Sequence, residues 1–461
     1  MTVDNVKVFN LASAQNPWWK DSKDLPSEQS WPKFEAFFTA QKELKLPLMT
    51  LLTGLRRTGK TTILKQLVAD LLKRGENPER ILYFSFEQEP APTSTETLEA
   101  LLEIYLTQVL KTKVSQVKTP TFIFLDEIQF VERWQNILKR YYDLNKNFKF
   151  ILSGSASTIL VWPKKESLAG RIFEVIISPL SFREFLRLKK EKVVPKINLE
   201  KELKESELFD WQVIARQEGG KLDELYLEYL ARGQFPEIVG WDELQKIRSY
   251  LISSILEKII LVDLPKVFDI QSPQKLREIF SVLAQETGSL VEYQNLAVDL
   301  GLSRQTLADY VSYLEAGYLI NVLFSSSGSF RRRLRKRKKI YAASPNITTS
   351  LQAITEKNPE FGQIIGRLVE TAILSSLQKE FQSVYFWRQN GKEVDFIVRT
   401  QTQILPIEVK FQSSLKKSDL ANLFKFMQKN ALRRGFLISR NQLELVEKGG
   451  LKIIIIPAWF M

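Results

Sequence analysis

Gly54-Leu55-Arg56-Arg57-Thr58-Gly59-Lys60-Thr61 stands between an apolar run, Leu48 to Thr53, and an amphipathic stretch, Lys60 to Lys73. It satisfies G-x-x-x-x-G-K-[ST] in full between a predicted strand and a predicted helix, the context a phosphate-binding loop requires. Its glycines allow a tight backbone whose N–H groups turn inward on phosphate oxygens, and the N-terminus of the following helix adds its dipole. Lys60 is expected to reach the β- and γ-phosphates of ATP and Thr61 to ligate Mg2+, with Gly54, Thr58, Gly59 and Thr62 completing the cradle.

Beyond the loop, short apolar runs alternate with amphipathic stretches from Leu46 to about Leu186, the pattern of strands and helices around a parallel sheet. Strands are predicted at Leu48 to Thr53, Arg80 to Phe86, Thr121 to Leu125 and Phe148 to Ser153. Helices are predicted at Lys60 to Lys73, Thr95 to Lys111 and Val131 to Leu144. The run Thr121-Phe-Ile-Phe-Leu ends on Asp126-Glu127. Asp126 is expected to hold Mg2+ through water and Glu127 to polarise the attacking water; the bland alternative is a strand capped by two solvated acids. Ser153-Gly154-Ser155 ends the next strand in hydroxyls suited to the γ-phosphate or to water, with Ser155 assigned to the nucleotide; ordinary turn chemistry is the other reading. Arg171 is the arginine-finger candidate, set to neutralise charge on the transferred phosphoryl group, against a structural ion pair.

Asp126-Glu127-Ile128-Gln129, the Ser-Gly-Ser turn, Gly170-Arg171, the block Ser178-Pro-Leu-Ser-Phe-Arg-Glu184 and Asn16-Pro-Trp-Trp19 together carry a resemblance. The chain resembles, over nearly its whole length, the AAA-family ATPases of bacteria and archaea in which a large C-terminal domain of uncharacterised function follows the ATPase. The resemblance implies ATP binding and hydrolysis, and a homo-oligomer is left open.

The 461 residues exceed one ordinary hydrophobic core, so several domains are expected. Lys and Arg number 66 against 53 Asp and Glu, and the net charge of +13 suits a polyanionic partner, nucleic acid first and an anionic membrane surface second. Without cysteine, disulfides and thiolate metal sites are excluded. Without histidine, so are a histidine general base, a Cys/His zinc site and a histidine-based nuclease motif. Hydrolysis must run on carboxylates, lysine, arginine, hydroxyls and a hard cation. Met1 to Lys20 does not read as a signal peptide, and apolar runs such as Ile453 to Pro457 fall far short of the roughly 20 residues of a membrane helix. No membrane insertion and a cytoplasmic location are expected.

The expected architecture is an α/β multidomain chain: an N-terminal docking arm (1–45), an AAA-type P-loop ATPase core (46–188), a linker and helical lid (189–265), a winged helix-turn-helix (266–342) and a nuclease-like α/β domain (343–461). Lys189 to Lys204, rich in Lys, Glu and Pro, reads as a solvated linker. Gln274 to Ala284, Tyr293 to Asp299 and Arg304 to Glu315 are predicted helices broken at Gly288 and Gly301-Leu-Ser. The last of them resembles a winged-helix recognition helix, with Ser303, Arg304, Gln305 and Thr306 facing DNA and Tyr318 to Phe324 opening the wing. A packing or protein-binding module is the alternative. Arg331, Arg332, Arg333, Arg335, Lys336, Arg337, Lys338 and Lys339, interrupted only by Leu334, carry no interleaved acid. Self-repulsion then favours a polyanion, DNA, over plain solvation.

In the last segment Glu370 lies on an amphipathic helix, and Trp387-Arg-Gln-Asn-Gly391-Lys-Glu-Val-Asp395 reads as a hairpin turning at Asn-Gly. Alternation in Ile404-Leu-Pro-Ile-Glu408-Val-Lys410 points Glu408 and Lys410 to one face. The order helix Glu, strand Asp, then Glu-x-Lys resembles the restriction-endonuclease-like, PD-(D/E)xK superfamily. That resemblance implies Mg2+ on Asp395 and Glu408, Glu370 completing the shell, and Lys410 orienting or activating a water. The expected function is ATP-controlled action on nucleic acid, with a Mg2+-dependent nuclease domain. Its rival is a nucleotide-switched DNA-binding regulator or scaffold whose nuclease-like domain does not cut.

Overall fold

The computed structural model describes residues 4–87, 95–154, 168, 170–201, 205–326, 331, 333 and 337–461. They fall into two units, Met1–Ile177 with Asp263–Asp269, and Ser178–Val262 with Ile270–Met461.

In the first unit α1 (Asn5–Gln15) and α2 (Glu35–Glu43) precede a sheet of β1 (Met49–Gly54), β2 (Ile81–Ser85), β3 (Thr121–Asp126), β4 (Phe148–Ser153) and β5 (Ile172–Ile177). All pairs are parallel, in the order β2-β3-β4-β1-β5. β1 to β4 are buried almost throughout, as a parallel sheet covered on both faces demands. Helix α3 (Lys60–Lys73) packs Ile63, Leu64 and Leu67 against Leu52, Tyr83, Phe124 and Ile151. On the opposite face α4 (Thr95–Ile104) and α5 (Trp134–Leu144) bury Leu98, Leu101, Trp134 and Leu138 with Leu51, Phe84, Leu125 and Leu152.

β5 is absent from the sequence expectation. It is a sheet edge that exposes Phe173 and Ile176 and carries Glu174, so neither a solid apolar run nor strict alternation announces it. Its register sets Ile177 beside Gly54, and a Cβ at Gly54 would lie 2.2 Å from the Ile177 carbonyl oxygen; the residue also holds φ +125. The phosphate loop therefore has to leave β1 on glycine.

The other edge, β2, is closed by side chains of the N-terminal arm. Asn16 Oδ1 accepts from Tyr83 N at 2.6 Å while its Nδ2 donates to Tyr83 O at 2.7 Å. Gln15 accepts from Ser85 N at 2.7 Å, and the indoles of Trp18 and Trp19 both donate to Ile81 O, at 3.0 and 2.9 Å. An open edge that would template pairing with another chain is thus satisfied locally.

The second unit begins with α6 (Phe182–Leu188), α7 (Glu205–Arg232) and α8 (Leu244–Tyr250). Then α9 (Pro273–Gln285), β6 (Ser289–Val291), α10 (Tyr293–Asp299), α11 (Arg304–Ala316), β7 (Ile320–Leu323) and β8 (Lys338–Ala342) form a small module. Its three strands are antiparallel with β8 in the middle. After α12 (Pro345–Gln352) and α13 (Phe361–Glu380) come β9 (Val384–Gln389), β10 (Lys392–Arg399), β11 (Ile404–Val409), α14 (Lys417–Lys429), β12 (Arg434–Ser439), β13 (Glu444–Lys448) and β14 (Leu451–Pro457). These strands make a mixed sheet, β13-β14-β12-β11-β10-β9. Helix α13 covers one face through Leu368, Val369 and Ile373 against Phe396, Ile407 and Phe436. Helix α14 covers the other through Leu423 and Met427 against Val394, Ile397 and Leu437.

The stretch expected to be a solvated linker is instead packed down, with Val194, Ile197 and Leu199 buried in the same core as α13. Its apolar residues follow neither helical nor strand spacing, so only tertiary contact shows them as core. No helix among the described residues is long and apolar enough to cross a membrane.

Asn16 is buried and pairs with both main-chain groups of Tyr83, so Asn16→Ala should destabilise the fold by about 2–3 kcal/mol, the cost of leaving buried backbone groups unpaired. Asn16→Asp should cost at least as much, because it buries a carboxylate and sets one of its oxygens against the Ala12 and Tyr83 carbonyls that Nδ2 serves. Denaturant unfolding of the full chain measures both.

Candidate functional site

Parallel packing of β1 beside β4 and of β4 beside β3 brings the loop after β1 and the acids after β3 to the same, C-terminal, edge of the sheet. Gly59, at φ +95, starts α3, and Thr58 Oγ1 closes the loop by donating to Leu55 O at 2.8 Å. Lys60 is buried, its ammonium held by the loop carbonyls of Leu55 at 2.9 Å and Gly54 at 3.3 Å. Burial pushes its pKa down, opposed by Glu127 and Asp126. Thr61 and Thr62 follow on the first turn of α3, both half-buried.

Asp126 gathers hydroxyls. Oδ2 accepts from Thr61 Oγ1 at 2.8 Å and from Tyr83 OH at 2.9 Å, while Ser153 Oγ donates to Oδ1. Burial first, then the charge of Glu127, raises this carboxyl above its ordinary range, and the three hydroxyls pull the other way. Glu127 sits in the left-handed region at φ 55, its N–H donating to Ser153 Oγ at 3.0 Å and its carboxylate accepting from Gln129. Thr61 and Asp126 are hard oxygen donors in mutual contact, a set that fits a Mg2+ ion. Ser155 lies outside the described residues.

Arg171 stands elsewhere. It precedes β5, its carbonyl accepting from Met49 N at 2.8 Å, whereas the loop leaves β1 beside Ile177. At strand rise those ends are about 16 Å apart. Its guanidinium pairs with Asp143 at 3.0 Å. Within one chain it is a structural ion pair rather than an arginine finger, because a parallel partner strand starts where the loop does not.

Sequence spacing missed two residues at this site. Tyr83 comes from β2, and Asp263 returns from far along the chain to take the Arg56 guanidinium at 2.8 Å. No spacing rule links a loop residue to a partner 207 positions away.

The second unit contains a denser cluster. β9 and β10 turn at Asn390-Gly391, with φ 50 and 72, and a register shift between Val394 and Ile397 interrupts the pairing at Asp395. Asp395 Oδ2 accepts from Val409 N at 2.9 Å, beside Glu408 on β11. Glu408 Oε1 pairs with Lys410 Nζ at 2.9 Å, so the two do share a face; Glu408 Oε2 is buried and has no hydrogen-bond partner. From α13, Glu370 Oε2 accepts from Tyr341 OH at 3.0 Å.

At the centre is Lys339, only 4 % exposed. Its ammonium lies 3.2 Å from Asp395 Oδ1 and 3.6 Å from Glu370 Oε2 and contacts Glu393. Burial works against this ammonium, but Tyr341 and the carboxylates of Asp395, Glu370 and Glu393 outweigh it and raise its pKa. Lys339 is therefore not a nucleic-acid contact, as its place in the basic run suggested. Burial, then Asp395, raises Glu370 to about 7, against Lys339 and the Tyr341 hydroxyl; burial, then Asp395, raises Glu408 to about 8, against Lys410. Among the described residues no three carboxylates stand so as to hold a metal ion. Asp395 and Glu408 do fit one side of a cation, because Glu408 Oε2 is a buried oxygen with nothing to bond.

The rest of the basic run is also partly neutralised. Arg337 pairs with Glu292 at 2.6 Å, Lys338 lies 4.6 Å over the Tyr293 ring with Glu315 opposing its charge loss, and Arg333 lies 5.3 Å over Tyr385. The acids missing locally come from other elements. Arg304 and Arg331 are exposed, Arg304 on the first turn of α11 behind the Ser303 cap; Arg332, Arg335 and Lys336 lie outside the described residues.

Residues 47–186 match the family described as an AAA domain, so the first unit carries an AAA-type P-loop ATPase domain. Residues 223–358 and 365–459 match two domains of unknown function, DUF8612 and DUF4143. An uncharacterised protein of Haemophilus influenzae is 25% identical over 415 residues, 89% of this chain and 93% of the relative. An uncharacterised protein of Methanocaldococcus jannaschii is 27% identical over 398 residues, 85% of this chain and 80% of the relative. Among solved structures, the Thermotoga maritima RuvB Holliday junction branch migration motor covers 62% of this chain and 85% of its own at 17% identity and a TM-score of 0.27. AMPPCP-bound DnaA from Aquifex aeolicus covers 62% and 90% at 16% identity and a TM-score of 0.26.

Lys60→Ala should weaken ATP binding by roughly 10- to 100-fold, the worth of a charge-assisted hydrogen bond, while Glu127→Gln should keep binding and slow hydrolysis by about 100-fold. Fluorescent-nucleotide titration and phosphate release separate the two effects.

Glu370 and Glu408 bind protons more tightly folded than unfolded, so their contribution to stability is full below the ordinary glutamate range and is lost as pH rises through about 7 and about 8. In EDTA the thermal midpoint of the second unit should fall between pH 5 and 9, and Glu408→Gln should flatten that fall.

Proposed function

We propose that this chain uses ATP and Mg2+ in its first unit to control action on DNA by its second unit. In this reading the α9-to-β8 module is a winged helix that binds DNA, and the α13-to-β14 domain is a restriction-endonuclease-like phosphodiesterase. The observation that carries the proposal is the convergence of Glu370, Asp395, Glu408 and Lys410, from one helix and two strands, on one buried locus.

Mg2+ takes one or two carboxylates and completes its shell with water and substrate phosphate, so Asp395 and Glu408 suffice to hold it. Bound there, it would polarise a phosphodiester oxygen and lower the pKa of a water. Lys410, 2.9 Å from Glu408 and half-buried, is positioned to hold that water or the phosphate by hydrogen bond. Arg304 and Arg331, exposed on the module, supply phosphate contacts. Lys60 and Thr61 hold the triphosphate, and Glu127 orients water at the ATP site.

A second reading, a DNA-binding regulator that does not cut, draws on the Lys339 ammonium, which already neutralises part of the acidic cluster. One set of incubations separates them: purified protein with branched, single-stranded and duplex DNA, Mg2+ or Mn2+, with and without ATP. Cleavage is expected, and Asp395→Asn or Glu408→Gln should abolish it while leaving ATP hydrolysis within about twofold. No cleavage of any substrate in either nucleotide state selects the regulator.

A further inference from the structure

Between its glycines the phosphate loop carries Arg56, at a position that the G-x-x-x-x-G-K-[ST] pattern leaves open. This arginine is fixed from outside the loop. Its Nε donates to Asp263 Oδ2 at 2.8 Å, and the Asp263 side chain is only 9 % exposed. Among the described residues Nη1 and Nη2 of Arg56 have no hydrogen-bond partner, and its side chain keeps 20 % of its surface open. The chain leaves the first unit at Ile177 and returns to it only for Asp263–Asp269. That short return is anchored by Leu264, fully buried in the 3-10 turn Leu264–Lys266, and by the Lys266 ammonium, 5.6 Å over the Phe130 ring. Phe130 N donates to Glu127 O at 3.2 Å, so the segment is fastened both to the phosphate loop and to the turn after β3.

Arg56 and Asp263 stand at the end of the site where the γ-phosphate belongs. Lys60 is held by the carbonyls of Gly54 and Leu55, and Arg56 follows Leu55 directly. Burial lowers the Lys60 pKa, Glu127 and Asp126 oppose that fall, and the charges of Arg56 and then Asp263 also reach it. Burial raises the Asp263 carboxyl above its ordinary range against the pull of Arg56, and Glu127 adds to the rise. The pair thus lies within electrostatic reach of the lysine for the β- and γ-phosphates and of the acid that orients water.

We infer that Arg56 is a further nucleotide-binding residue of the ATPase domain, specific for the γ-phosphate, and that Asp263 is the residue that positions it. Both roles presuppose the ATP site at Lys60 and Thr61. A guanidinium carries its donors in a rigid plane. Held by Nε, it keeps both terminal nitrogens for phosphate oxygens, and the tether sets their direction before the nucleotide arrives. A lysine would have one nitrogen to divide between carboxylate and phosphate. ADP ends one phosphate short and gains nothing from this contact. A positive charge for the transferred phosphoryl group is therefore supplied from within the loop, whereas Arg171 pairs with Asp143 at the far end of its strand.

Calorimetric titration of the full chain in Mg2+ with β,γ-methylene-ATP and, separately, with ADP tests this. Arg56→Gln should lose at least about tenfold in affinity for the triphosphate while ADP affinity changes by less than about twofold, and Arg56→Lys should lose nearly as much as Arg56→Gln. Asp263→Ala, which frees the guanidinium, should lose roughly three- to tenfold for the triphosphate alone, and Asp263→Asn, which keeps an acceptor for Nε, should recover most of that loss. In an Arg56→Gln background Asp263→Ala should cost nothing more, because Asp263 acts only through Arg56. Equal losses for both nucleotides in Arg56→Gln overturn the γ-phosphate assignment, and this comparison stands even where Asp263→Ala lowers the thermal midpoint. A triphosphate bound more tightly by Asp263→Ala than by the parent, or additive losses in the double variant, overturn the positioning role. A parent that binds neither nucleotide removes the ATP site itself, and the inference with it.

Discussion

A carboxylate taken out of water must be given hydrogen bonds or a counter-charge, and both candidate sites of this chain are organised around that demand. Asp126 meets it with neutral donors from α3, β2 and β4, each brought to it by the parallel register of the sheet. Asp395 meets it with a main-chain N–H and a lysine ammonium. The difference matters chemically. Hydroxyls can reorient to share a carboxylate with a hard cation, so Asp126 remains available to Mg2+. An ammonium is a fixed counter-charge, so Lys339 ties Asp395 to Glu370 and Glu393 in one buried ion cluster.

The basic run shows how far local charge can mislead. Read along the chain, Arg331 to Lys339 has no acid within it and invites a polyanion. In the fold Glu292, Glu315, Glu370, Glu393 and Asp395 come to its C-terminal half from four separate places, the last two from one strand. Strand alternation in β8 then sends Lys338 toward Tyr293 and Lys339 into the acidic cluster. Arg304 and Arg331 stay exposed.

Most of the first unit was legible because its signals are local. The glycines at 54 and 59, the Lys-Thr pair and the acids closing β3 each state a backbone or charge requirement at one position, and four strands were long, apolar and bounded. β5 was not legible, since an exposed edge strand holding a glutamate lacks both diagnostic patterns. The hairpin at Asn390-Gly391 and the shared face of Glu408 and Lys410 followed from turn chemistry and strand alternation. The packed segment around Val194, Ile197 and Leu199 did not, because its burial has no period.

By itself the sequence determined the chemistry available: a phosphate loop of fixed spacing, hydrolysis without histidine or cysteine, and an ordered set of Glu, Asp and Glu-x-Lys near the C-terminus. These are properties of residue type and short-range spacing, which backbone geometry translates directly. Only the tertiary structure decided which of the charged residues work together. It set Arg171 against Asp143 at the wrong end of its strand for the phosphates, brought Asp263 to Arg56, and moved Lys339 from a supposed DNA surface into a nest of carboxylates. Such pairings join residues tens to hundreds of positions apart, and their energies depend on burial, which no one-dimensional pattern encodes.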